Sequence, residues 1–231
     1  MTTLSGKSLL ARVPVAWPTL LVAAAALTLW TASTVAAAFG HLSLGLAALL
    51  NTVAAFAAFT PMHDASHRAL GHARALSEVV GRLCALVLAA PFPAFRYVHL
   101  EHHKHTNDPV RDPDVWSGLG PRWLLPLRWL SQDLHYYSCY ARALPGRRRL
   151  ERLEVSAFAL AVVALIAVAV SAGALVPMLL LWLVPARLAT AMLALSFDYL
   201  PHRPHRVRAA DDRFRASSVW PNPWLTLPLF F

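Results

Sequence analysis

No Lys, Arg, Asp or Glu occurs from Val13 to His63, a stretch of 51 residues. One bilayer crossing takes about 20 apolar residues, so the stretch predicts two helical spans, Trp17–Phe39 and Leu42–Thr60, joined by a turn at Gly40-His41. The pattern repeats over Val155–Phe197, where Arg187 is the single charge. Spans are expected there at about Val155–Ser171 and Pro177–Leu200, with the turn near Ser171-Ala172-Gly173. The intervening segment, Met62–Glu154, is polar apart from 13 uncharged and mostly apolar residues, Leu83–Phe95, held between Arg82 and Arg96. That run is too short to cross and is expected to lie at the interface or to re-enter. The first span follows Lys7 and Arg12, as a signal peptide would. Its length and the second span directly behind it predict a retained helix.

The fold class expected is therefore all-α: a multi-pass membrane protein with four transmembrane helices in two hairpins and a helical cap on the cytoplasmic side. Residues 1–231 are read as one unit, comprising a first hairpin (17–60), a cytoplasmic region (62–154), a second hairpin (155–200) and a C-terminal cytoplasmic region (201–231).

Composition agrees: 57% of the 231 residues are apolar and 14% charged, against roughly 45–50% and 25% in soluble domains. The net charge of +9 could suggest nucleic acid, but its placement argues for topology instead. Of 21 basic residues, two precede the first span, 13 lie between Met62 and Glu154, five follow Leu200, and the turns on the far side carry none. Positive charge marks the cytoplasmic side, so both termini and the middle segment are expected there, on a cytoplasmic (inner) membrane. Arg147-Arg148-Arg149 reads as an anchor near anionic headgroups. Two cysteines, Cys84 and Cys139, are too few for a disulfide scaffold.

Ten of the 11 histidines fall on the same side, His41 being the exception. They cluster as "HDASH" (His63, His67), "HLEHHKH" (His99, His102, His103, His105) and "DYLPHRPH" (His202, His205). Residues three or four apart share a helix face, so His63 with His67, and His99 with His102 and His103, can converge on metal. Imidazole suits iron, zinc, copper and nickel, and the excess of histidines over one tetrahedral set favours two ions with open coordination. Asp64 and Asp198 are candidates to orient a ligating imidazole; for Asp64, a charge at a helix N-terminus is the alternative. Pro201 between Asp198 and His202 predicts a helix end near Leu200, with His202 on the exit turn. His72, His105, His135 and His205 are read as surface or supporting groups.

At these residues the chain resembles the membrane fatty acid desaturase superfamily. "HDASH" and "HLEHH" match its first two histidine boxes in order and spacing, and "HHKHTND" with the following "DPD" matches the surroundings of the second. "FDYLPHRPH" is similar to the cyanobacterial-type β-carotene hydroxylases of that superfamily. The resemblance implies a non-haem di-iron site with O2 as co-substrate. It carries ligand roles to His63, His67, His99, His102, His103 and His202, and a water-mediated iron contact to Asp198. The superfamily's third box, a second HxxHH, is absent, and the chain stops at "WLTLPLFF"; the expectation is an interrupted reading of a longer protein.

The implied activity is oxidation of a lipid C–H bond, with β-carotene ring hydroxylation ahead of acyl-lipid or fatty acid desaturation. Electrons are expected from an external donor such as a ferredoxin, since no flavin or haem motif is visible. An inactive remnant is a remote alternative. So is a metal permease, which would place polar groups mid-span, where only Asn51, Arg187 and a few Ser and Thr occur. Arg187 is left to snorkel or to pair with another helix.

Overall fold

The computed structural model describes residues 14–212, together with 214, 216 and 217. Lys7, Arg12 and the "WLTLPLFF" tail lie outside the described residues. Four helices are long and apolar enough to cross a membrane: α1 (Trp17–Ala38), α2 (Leu44–Ser66), α7 (Arg149–Ser171) and α8 (Leu175–Tyr199). At 1.5 Å per residue they measure about 33–38 Å against roughly 30 Å of hydrocarbon. Shorter helices fill the segment between α2 and α7: α3 (Arg74–Val87), α4 (Phe92–His105), α5 (Leu125–Leu130) and α6 (Gln132–Ala143). No strand occurs among the described residues.

The span boundaries have local causes. Pro18 sits in the first turn of α1, where no intrahelical N–H is needed. Gly40, at φ +76°, ends that helix, and the His41 N–H reaches back to the Ala36 carbonyl at 2.8 Å. Ser43 caps α2 by accepting from the Leu46 N–H. α2 continues past the expected Thr60 to Ser66, and α7 starts at Arg149 rather than Val155. Arg, Leu and Glu are good helix formers, so α7 extends out of its apolar stretch.

α1 and α2 approach closely because alanines face each other: Ala23, Ala26, Ala54, Ala55 and Ala58 are all buried. The chain before α1 also meets the chain after α2, through Ala16 N–H to Leu70 O at 3.0 Å. α7 is different. It buries only Ala169 and touches the rest mainly near α4 and the first turn of α8.

The middle of the α1–α2–α8 packing holds a polar network centred on Asn51. Asn51, 0% exposed, accepts from the Ser33 hydroxyl and donates to Thr34 Oγ1 at 3.0 Å and the Leu181 carbonyl at 2.7 Å. Pro185 has no N–H to give the carbonyl four residues before it, Leu181, and Asn51 fills that place. Around it α8 widens into a π-turn at Leu179–Leu183, and again at Ala194–Tyr199.

The apolar run Leu83–Phe95 is not one straight helix. It forms the elbow between α3 and α4, whose axes bend by 99°. Each arm has 14 residues, about 21 Å, short of a crossing. Carbonyls at the bend accept from distant side chains: Trp182 donates to Leu86 O at 2.8 Å and Tyr137 to Ala89 O at 3.1 Å. Arg187 has a partner too. It donates to Leu130 O at 3.0 Å and pairs with Asp133 on α6, which ties α8 to the α5–α6 segment.

Candidate metal centre

The bend turns α4 back against the end of α2, and this brings the two histidine clusters together. One ring nitrogen from each of His63, His67, His99 and His103 lies within 4.8 Å of the others. His99 Nε2 is 2.8 Å from His67 Nε2 and 3.1 Å from His103 Nε2. A neutral imidazole nitrogen has either one hydrogen or one in-plane lone pair, so His99 cannot satisfy both neighbours by hydrogen bonding. A shared cation can satisfy all three. Nitrogens each about 2.0–2.1 Å from one metal sit roughly 2.9–3.4 Å apart at angles of 90–109°, close to what is seen.

His102 and His202 face one another beside this group, with ring centroids 4.9 Å apart. His102 Nδ1 contacts Asp112 Oδ1 at 2.8 Å and Asp114 Oδ2 at 3.1 Å. His202 stands on the exit turn after α8, where the wide turn closes with Leu200 N–H to Leu195 O. The six predicted histidines are thus gathered as four and two.

Electrostatics favour the ligating form of most of them. Burial and the neighbouring imidazoles hold His99 well below the usual histidine range, and His67 below it. The same causes take His103 down to about 4. Burial and His102 lower His202 as well. His102 differs: burial opposes its charge, but Asp114 and Asp112 outweigh it and raise the ring to about 9.

Asp64 and Asp198 behave differently from each other. Asp64 Oδ1 meets His63 Nδ1 at 3.1 Å, and Thr19 of α1 donates to Oδ2 at 3.0 Å. It stands near the C-terminal end of α2, not at a helix N-terminus, so the dipole opposes it and only these contacts favour it there. Asp198 does not reach His202. Contrary to the expectation from Pro201, Leu200 keeps helical angles (φ −62°, ψ −47°) and the Arg203 N–H bonds Tyr199 O at 3.0 Å, while Asp198 lies 3.5 Å from the Tyr136 hydroxyl. His202 Nδ1 contacts the Ala216 carbonyl instead, at 3.0 Å.

Sequence reading assigned no role to Asp112, Asp114, Asn107 or Tyr136. The "DPD" string was the visible signal for the first two. Tyr136 donates to Asp114 at 2.5 Å. Asn107, at φ +63°, donates to the carbonyls of Val207 and Ala216 and so holds the C-terminal segment over the end of α4. The remaining histidines stand aside: His135 stacks on Trp116 at 4.6 Å, and His105 lies 3.7 Å from Glu101. His205 lies against Asn107 at 3.2 Å.

A cavity of about 1060 Å³ opens onto the histidines. Phe59, Leu193 and Phe197 of the spans line one side; His63, His99, His102, His103 and His202 line the other. Phe95 stacks on His99 at 5.4 Å and meets Phe59 at 6.0 Å, so apolar wall and imidazole floor are continuous.

The family model for fatty acid desaturases matches residues 39–231. The chain belongs to the fatty acid desaturase family. Among curated proteins it is similar to the sn-1 oleoyl-lipid 12-desaturase of Anabaena variabilis, 34% identical over 59 residues, which is 26% of this chain and 17% of that protein. The enzyme of the same name from Synechocystis sp. is 37% identical over 62 residues, 26% of this chain and 18% of the relative. The matched stretch thus spans less than a fifth of each relative's length. Family membership and four helices apolar enough to span mark a membrane protein, and its histidine clusters are suited to a metal.

Proposed function

We propose that this chain carries the metal site of a di-iron, O2-dependent enzyme that oxidises a C–H bond of a membrane lipid. The observation that carries the reading is the meeting of four imidazoles beneath an apolar cavity walled by the spans. His63, His67, His99 and His103 would hold one iron, and His102 with His202 would contribute to a second. Bound iron would supply O2 activation and removal of hydrogen from an unactivated carbon. Asp64, fixed by Thr19, holds His63 from its Nδ1 side. Asp198 is a supporting carboxylate reached through Tyr136. Phe59, Phe95 and Phe197 exclude water and align the lipid against the imidazoles. The spans form two hairpins of a single unit that places the histidine cap on the cytoplasmic side, where a soluble donor such as a ferredoxin delivers electrons.

The substrate reading is ring hydroxylation of a carotenoid, supported by "FDYLPHRPH", of which Phe197, Asp198, Leu200, Pro201, His202 and Arg203 line the cavity. Acyl-chain desaturation is the second reading, favoured by the names of the relatives. Expression in carotene-making cells separates them. Hydroxylated pigment supports the first, and new unsaturated acyl chains with unchanged pigment support the second. Purified protein that retains no iron and changes neither lipid overturns both, leaving the inactive remnant or the permease.

A further inference from the structure

Two acidic residues of the loop after α4 take no part in the four-histidine group, yet both are buried against one ring of the site. Asp112 is 7% exposed and Asp114 5%. The Asp112 carboxylate is oriented before it meets any side chain: Oδ2 accepts the Asn107 N–H at 2.6 Å and Oδ1 accepts the Asp114 N–H at 2.9 Å. That fixed Oδ1 lies 2.8 Å from His102 Nδ1. A carboxylate only accepts hydrogen bonds, so Nδ1 of His102 carries a hydrogen and Nε2 is the nitrogen left to a metal, which displaces any proton there. The ring that His102 then faces is His202, at 4.9 Å.

We infer that Asp112 is a positioning residue that fixes His102 as an Nε2 ligand, and that with Asp114 it tunes a metal position shared with His202 and separate from the four-histidine group. The inference rests on the metal-site reading above. A carboxylate on the far nitrogen of a ligating imidazole sets its tautomer and ring orientation and raises its basicity, and losing one costs about 10–100-fold in metal affinity. Among the described residues no hydrogen-bonded carboxylate meets His67, His99 or His103, whose polar contacts are with other imidazoles. The effect of Asp112 is therefore confined to one of the two positions.

The test is anaerobic titration of the purified, metal-free full chain in detergent with Co2+, followed by visible absorption and by competition with chelators of graded strength. The wild type is expected to load in two steps. Asp112→Asn should weaken one step by about 10–100-fold and leave the other unchanged. Because Asp112 also accepts two backbone N–H groups, Asp114→Asn serves as the second variant. The Asp114 side chain accepts from Tyr136 and contacts His102 but receives no backbone N–H. It should weaken the same step by a smaller factor. Two steps falling together, or neither falling, overturns the inference while the metal site stands. A wild type that binds no Co2+ overturns the metal-site reading itself.

Discussion

Asn51 gives the sharpest test of how the spans are held. Asn51→Leu keeps the side chain's approximate volume and removes three hydrogen bonds: from Ser33, to Thr34 Oγ1 and to Leu181 O. Hydrogen bonds between membrane helices average about 0.6 kcal/mol and reach about 1.7. Three average bonds give about 2 kcal/mol, and three maximal ones about 5. The lower figure is expected. Ser33 has one hydrogen and can turn it to Leu29 O of its own helix, 2.7 Å away, so its loss is small. The larger cost falls on Leu181, whose carbonyl has Pro185 four residues on. About 2 kcal/mol is a change of roughly 30-fold in the folded-to-unfolded ratio. The assay is reversible unfolding in mixed detergent micelles of rising SDS fraction, read by tryptophan fluorescence. Thr52→Val is the control, because Thr52 bonds only within its own helix, to Ala48 O at 2.8 Å; it should stay within about 0.5 kcal/mol of wild type. An Asn51→Leu cost no larger than that of Thr52→Val would refute the idea that this network joins α1, α2 and α8.

Four further outcomes follow from particular contacts. A Cβ at Gly81 would come 2.3 Å from the Phe92 ring, which Arg96 covers at 4.4 Å; Gly81→Ala should therefore lower stability by about 1–3 kcal/mol, measured by thermal unfolding. Arg187→Leu leaves the half-buried Asp133 beside α8 without its cation and should destabilise, while Arg187→Leu with Asp133→Leu recovers most of the loss; equal stability of single and double variants would contradict the pairing. Gln132 is 2% exposed, lines the cavity and shares a side-chain hydrogen bond with Tyr136, so Gln132→Leu should lower stability by about 0.5–1.5 kcal/mol in the same assay. For Glu78, burial pushes the carboxyl up but hydrogen bonds from Arg82 and Arg96 outweigh it and hold it below the usual range. A depressed carboxylate stabilises above its unfolded value and loses that contribution as pH falls through the folded one. Glu78→Gln should therefore cost about 0.2–1 kcal/mol at neutral pH and nothing in strong acid, and a pH-independent cost would exclude the ion pairs as its source.

What could be read from the sequence was periodic or one-dimensional. A charge-free run shows a span whatever packs on it, and a spacing of three or four places His99, His102 and His103 on one face of α4. What could not be read depends on contacts between distant residues. The elbow at residues 88–91 is held by Trp182 and Tyr137, which lie 96 and 48 positions from the carbonyls they bind. Asp112 reaches His102 only because Asn107 takes a left-handed backbone conformation and folds the loop back. Asp198 meets Tyr136, a residue 62 positions away, which no local spacing could indicate.

The same contacts bear on the transport alternative. A path for ions through the bilayer needs polar groups mid-span that are free to exchange partners. Asn51 and Arg187 are the strongest such groups on the described spans, and both are engaged: Asn51 by three partners across α1 and α8, Arg187 by Asp133 and Leu130 O. The buried polarity of the spans therefore serves to join helices. The histidines with lowered pKa sit just past the span ends, where α2, α4 and the exit of α8 meet. Engaged polar groups on the spans, with imidazoles gathered where α2, α4 and the exit of α8 meet beside a largely apolar cavity, favour the proposed lipid-oxidising reading over the transport one.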